Sequence, residues 1–111
     1  MTDAAGTLER AADLLETVGW VQNVSVQYGY GHNPERLGID GPIQVVGYCA
    51  SGALVKAAST SQEYEVAMAI LARGMKSSVI RWNDAPGRTK FEVVDAMRHA
   101  AKDLRNEAVP E

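Results

Sequence analysis

Cysteine is almost missing from this chain: Cys49 stands alone among 111 residues. A single thiol closes no internal disulfide, so nothing signals an oxidising compartment. Histidine is nearly as scarce, with only His32 and His99. One cysteine and two scattered histidines do not make the usual tetrahedral zinc set. No apolar run approaches the roughly 20 residues needed to cross a bilayer. The first ten residues, MTDAAGTLER, are polar and acidic and carry no secretory h-region. The chain has neither the G-x-x-x-x-G-K-[ST] nor the G-x-G-x-x-G phosphate loop. Internal repeats and low-complexity stretches are absent too. A cytoplasmic protein with no metal, no cofactor and no membrane partner is expected.

What is present is an ordinary globular composition, with 46% hydrophobic and 23% charged residues. That balance excludes a disordered tail, a collagen-like repeat and a disulfide scaffold. The length suits one domain, residues 1–111, burying roughly 65% of its unfolded surface. The net charge of −3 hides an asymmetry. Residues 1–65 hold 3 basic and 8 acidic side chains, whereas residues 66–105 hold 8 basic and 4 acidic. A basic C-terminal half facing an acidic N-terminal half bears on any account of partners.

Periodicity predicts a mainly α fold: a small bundle of about four helices with room for a short two-stranded β element. An opening helix lies within 5–19 and is clearest from Thr7 to Val18. Leu8, Ala11, Ala12, Leu15 and Val18 recur there at helical spacing, with Thr7 as N-cap and Gly19 as the stop. Residues 20–48 are a strand and loop segment. Val24, Val26, Tyr28 and Tyr30 alternate with polar or small residues, GHNPERLGIDGP forms a long loop, and Ile43–Tyr48 is a partner strand. Three helices fill 49–106. The first runs from about Cys49 to Ala58. The second opens with the capping-box pair Thr60 and Glu63 and ends near Gly74. After the connector SSVIRWNDAPGR, the third opens with a second capping box, Thr89 and Glu92. Residues 107–111 form a tail.

Four groups are candidates for chemistry or binding. Cys49 precedes a helix, where amides and the helix dipole favour a thiolate. A thiol enzyme would need His32 as its base, yet His32 sits in a Gly/Pro-rich loop, and His99 on the polar face of a surface helix. A small buried thiol is the favoured reading, since free cysteine is among the most buried residue types. Asn83, Asp84, Pro86 and Gly87 form a turn by their own chemistry, with Trp82 expected to anchor it in the core. Arg98, Lys102 and Arg105 make a basic edge on the last helix. An acidic isoelectric balance argues against nucleic acid as partner, and so does the acidic first turn of the Glu63–Gly74 helix, which would be the second member of a helix–turn–helix pair. Trp20, Tyr28, Tyr30 and Tyr48 cluster around the strand segment, which is the preferred protein-binding surface because such side chains give rigid area at low entropy cost.

Three strings, LERAADLLETVGWVQ, GYCASGAL and WNDAPGRTKFEVVDAMRHAA, together resemble a family of small uncharacterised proteins of actinobacteria and their tailed phages. The positions that carry the resemblance are Gly19, Trp20, Cys49, Gly52, Ala53, Leu54, Trp82, Asn83, Asp84, Arg88, Thr89, Glu92 and Val93. Tyr48 supplies the aromatic that often precedes the family's cysteine. The resemblance covers most of the chain outside 29–43 and implies no known activity. A phage origin implies a small accessory protein acting in a host cytoplasm on a host factor. The resulting expectation is a non-enzymatic interaction protein with a protein partner. It binds through Trp20, Tyr28, Tyr30, His32 and the loop to Pro42, while Cys49, Gly52, Trp82, Asn83, Asp84, Arg88, Thr89 and Glu92 fix the shape. The alternatives are a thiol enzyme using Cys49 and a nucleic-acid accessory protein using Arg98, Lys102 and Arg105. A homodimer through the small-residue helix is compatible with the pattern but not required by it.

Overall fold

The computed structural model of the chain describes residues 3–30 and 43–108. Its elements run α1 (Ala4–Thr17), β1 (Val26–Tyr30), β2 (Ile43–Tyr48), α2 (Ala50–Ala57), α3 (Ser61–Met75), α4 (Val79–Asn83) and α5 (Lys90–Ala108). The mainly helical class with a two-stranded element is as the periodicity predicts. Among the described residues the helices number five, because a short one lies inside the connector.

α1 starts earlier than its apolar stripe suggests. Asp3 is the cap, its Oδ1 accepting the Gly6 amide at 2.9 Å. Thr7, the expected cap, is fully buried one turn in and donates its hydroxyl to the Asp3 carbonyl at 2.9 Å. A carboxylate accepts amides better than a hydroxyl does, and Ala4 and Ala5 are small enough to be buried in the added turn. α3 also outruns its expected end. Gly74 stays helical, and Lys76 closes the helix in the left-handed region at φ 55°.

The α5 capping box closes in both directions, whereas in α3 the threonine half forms and the glutamate turns to other amides. In α3 the Thr60 hydroxyl accepts the Glu63 amide at 3.1 Å. In α5 Thr89 Oγ1 accepts the Glu92 amide at 3.2 Å while Glu92 Oε1 accepts the Thr89 amide at 3.0 Å. Glu63 does more than close its own helix. Its two oxygens accept the Ser59 amide at 2.8 Å and the Asp3 amide at 2.9 Å, which ties the start of α1 to the start of α3. These backbone donors, Asp3 first, hold the Glu63 carboxyl below the usual glutamate range.

β1 and β2 pair antiparallel from Val26↔Tyr48 to Tyr30↔Ile43, with a bulge between Gln27 and Tyr28. Two strands alone are marginal. Here residues 19–21 extend the pairing: Tyr48 donates its amide to the Gly19 carbonyl and Val21 donates to the Tyr48 carbonyl, each at 3.0 Å. Gly19 adopts φ 146°, and a Cβ there would meet the Val46 carbonyl oxygen at 2.4 Å. Glycine is required by conformation and by space at once.

Leu8, Leu15, Leu54, Val79, Val93 and Met97 are the large apolar residues sealed in the core. They join α1, α2, α4 and α5. α1 and α5 run antiparallel, since Arg98, early in α5, meets Asp13 and Glu16 late in α1, while Arg105 meets Glu9. Trp82 packs against the core, as expected, but without full burial. It is only half-buried, because Asn83 takes the inward position of the short α4.

Candidate functional site

The distinctive Trp-Asn-Asp string builds a joint. Asn83 is completely buried and uses both ends of its amide. Its Oδ1 accepts Trp20 Nε1–H at 2.7 Å and the Ala50 amide at 3.0 Å. Its Nδ2 donates to the Val21 carbonyl at 3.2 Å and to Asp84 Oδ1 at 2.9 Å. Asp84 Oδ1 also accepts the Asn23 amide at 2.8 Å, and Gln22 Nε2 donates to the Asn83 and Ala85 carbonyls. One side chain thus joins α4, the start of α2 and the segment after α1. A buried amide with this many partners is spent on structure.

The Cys-x-x-Gly string serves the same joint. Cys49 is buried and caps α2, its sulfur accepting the Gly52 amide at 3.3 Å, while its own amide donates to the Ser25 carbonyl at 3.0 Å. A Cβ on Gly52 would lie 2.0 Å from that Ser25 oxygen. Glycine lets the hairpin backbone cross the first turn of α2 at contact distance. The cysteine is therefore shielded and hydrogen-bonded, and the proposed base His32 lies outside the described residues.

Arg88 lies over the outer face of Trp82, 3.9 Å from the ring centroid. Its Nε donates to the Trp82 carbonyl at 2.9 Å and its Nη1 to Glu92 at 3.1 Å. A cation held on an indole by a carbonyl and one ion pair fixes the α4–α5 turn.

The basic edge of α5 is engaged within the molecule. Arg98 pairs with Asp13 at 3.2 Å and with Glu16, and Arg105 with Glu9. The Arg105 hydrogen bond holds the Glu9 carboxyl below its usual range. Lys102 is exposed between them. The charge asymmetry of the sequence resolves into ion pairs across the α1–α5 seam.

The aromatic cluster divides. Trp20 is half-buried and bound to Asn83, and Tyr48 is buried. Tyr28 remains 64% exposed on the hairpin. Tyr30 lies in β1 by its backbone. His32 and the loop to Pro42 fall outside the described residues.

A concavity also lies beside α5. A groove of about 620 Å³ opens between α3 and α5 with α4 at one side. Ile70, Leu71, Met75, Trp82, Ala96 and Ala100 give it apolar walls and floor. Asp95, His99, Asp103, Asn106 and Glu107 rise along α5, and Arg73 faces them from α3, reaching Glu107 at 3.4 Å. Ala96 and Ala100 are the apolar residues that α5 gives to the groove, and their small side chains leave space there. The sequence signal was the Ala96–Ala100 pair at i, i+4 spacing beside the polar stripe Asp95, His99, Asp103. Nothing in the sequence indicated that α3, rather than solvent or α1, faces it. Among the described residues no group of three or more His, Cys, Asp or Glu is arranged to hold a metal ion, and no helix is long and apolar enough to cross a membrane.

A family model described as a family of unknown function (DUF6197) matches residues 1–103. The chain belongs to this family. The match spans α1 through most of α5, so the Asn83 joint, the Cys49 cap and most of the groove fall inside it. No curated protein and no solved structure matches the chain.

Proposed function

We propose that this protein is a non-enzymatic accessory protein that binds another protein through the groove between α3 and α5. One observation carries the reading. The groove has an apolar floor, a polar rim and a volume of about 620 Å³, the form of a recognition cleft. The polar groups that first suggest chemistry, Cys49 and Asn83, spend their hydrogen bonds inside the molecule. The resemblance to actinobacterial and phage proteins supports a host factor in a bacterial cytoplasm as the ligand. The exposed Tyr28, in a strand segment that also exposes Val24 and Val46, supports a second, smaller contact there.

Site-specific photo-crosslinking in bacterial cells tests the reading. A benzophenone amino acid replaces Ile70 or Asn106 in the groove, Tyr28 on the hairpin, or the exposed Val55 on α2 as a control. The expected result is one discrete protein adduct from the groove positions and none from Val55. Equal or absent labelling from the groove positions relative to Val55 would refute the groove.

A further inference from the structure

We infer that the groove receives a basic, amphipathic helical segment of the partner. This rests on the interaction reading above and adds the partner's chemistry. The argument is charge complementarity over an apolar floor. Asp95 and Asp103 stand on the α5 rim with no cation in ion-pair distance among the described residues. The other acids at the helix seams are matched: Glu9, Asp13 and Glu16 by arginines of α5, and Glu107 by Arg73. Two carboxylates left open beside an apolar floor make a negative potential where a ligand would be desolvated.

Spacing gives the ligand its shape. Asp95 and Asp103 are eight residues apart on one helix, about 12 Å along its axis. The rim from Asp95 to Glu107 spans about 18 Å, the length of a three-turn helix. A ligand helix lying along α5 sets apolar side chains at i, i+4 and i+7 over Ala96 and Ala100, whose small size leaves room for them. Lysine or arginine two turns apart on its flank meets Asp95 and Asp103 together.

The test is a selection of displayed random peptides of about 16 residues, long enough for four turns, against the full chain at low ionic strength. Affinities are then measured by fluorescence anisotropy. The expected winners carry Lys or Arg together with apolar residues at helical spacing. Their binding weakens at least about tenfold with Asp95→Lys/Asp103→Lys and falls steeply with added salt. It is lost when the groove is filled by Ala96→Trp or, at the exposed rim, by Asn106→Trp, with melting temperature and far-ultraviolet dichroism reporting that each variant folds. Winners without basic bias, or winners indifferent to the charge reversal but lost on filling the groove, would overturn the basic partner and leave the groove standing. Binding indifferent to both filling variants would overturn the groove itself. A selection that enriches nothing would overturn both.

Discussion

Replacing Asn83 with alanine is the sharpest probe of how this fold is held. The substitution strands three groups: the Ala50 amide, Trp20 Nε1–H and the Val21 carbonyl. Ala50 is fully buried, so its orphaned amide should cost about 1–3 kcal/mol. Trp20 and Val21 are half-buried, and water reaches them in part, so each adds about 0.5–1.5 kcal/mol. The three together come to about 2–6 kcal/mol, and the packing lost around a sealed side chain adds to this. At this chain length about 4 °C of melting temperature accompanies each kcal/mol, so a fall of about 8–24 °C is expected by thermal dichroism. Asn83→Asp separates geometry from hydrogen bonding. It keeps the acceptor for Trp20 and Ala50 but sets a second carboxylate oxygen where Nδ2 stands 2.9 Å from Asp84. A buried carboxyl beside another has its pKa raised, so the folded state binds the extra proton. The penalty is then full near pH 7 and shrinks relative to wild type as pH falls towards about 4. A drop of less than about 4 °C for Asn83→Ala would refute the joint.

Three further outcomes follow from the same geometry. Gly52→Ala places a methyl 2.0 Å from the Ser25 carbonyl oxygen, so the hairpin must move off α2; a loss of about 2–4 kcal/mol is expected in urea unfolding, as for other strained core substitutions. Cys49→Ser keeps an N-cap acceptor and should alter stability by less than about 1 kcal/mol, and the native thiol should react with iodoacetamide only after unfolding; rapid native labelling would revive the thiol enzyme. Glu63 has its carboxyl lowered in the folded state by the Asp3 and Ser59 amides, so its stabilisation is complete above about pH 4.3 and is lost as acid protonates it below that. Glu63→Gln should therefore lower the melting temperature at pH 7 and flatten its decline between about pH 4.3 and pH 2, in a pH series of melting curves.

Much of the fold was legible because it rests on local rules. The stripe Leu8, Ala11, Ala12, Leu15 reads as a helix face, the Thr89–Glu92 capping box closes as its spacing predicts, and Thr60 caps α3 while Glu63 accepts the Ser59 and Asp3 amides instead. Two features escaped for local reasons of their own. α4 is five residues long, too short for a period to emerge among turn formers. The start of α1 shifted to Asp3 because an acidic cap outcompeted a threonine that the core then enclosed. The candidate site was far less visible. Ile70, Leu71 and Met75 on α3 and Ala96 and Ala100 on α5 meet only through tertiary packing, across some 25 residues of chain.

By itself the sequence determined the four longer helices and the caps at Thr60 and Thr89, and it marked Cys49, Gly52 and Asn83 as residues that fix the shape. Those outcomes follow from hydrogen-bond geometry within a few residues. The tertiary structure alone decided what those residues touch. It spent Arg98 and Arg105 on the carboxylates of α1, turned Trp82 half outward beneath Arg88, and left Asp95 and Asp103 open beside an apolar floor. Whether a charge is matched or open depends on which helix lies opposite, and that is settled by burying the apolar stripes together.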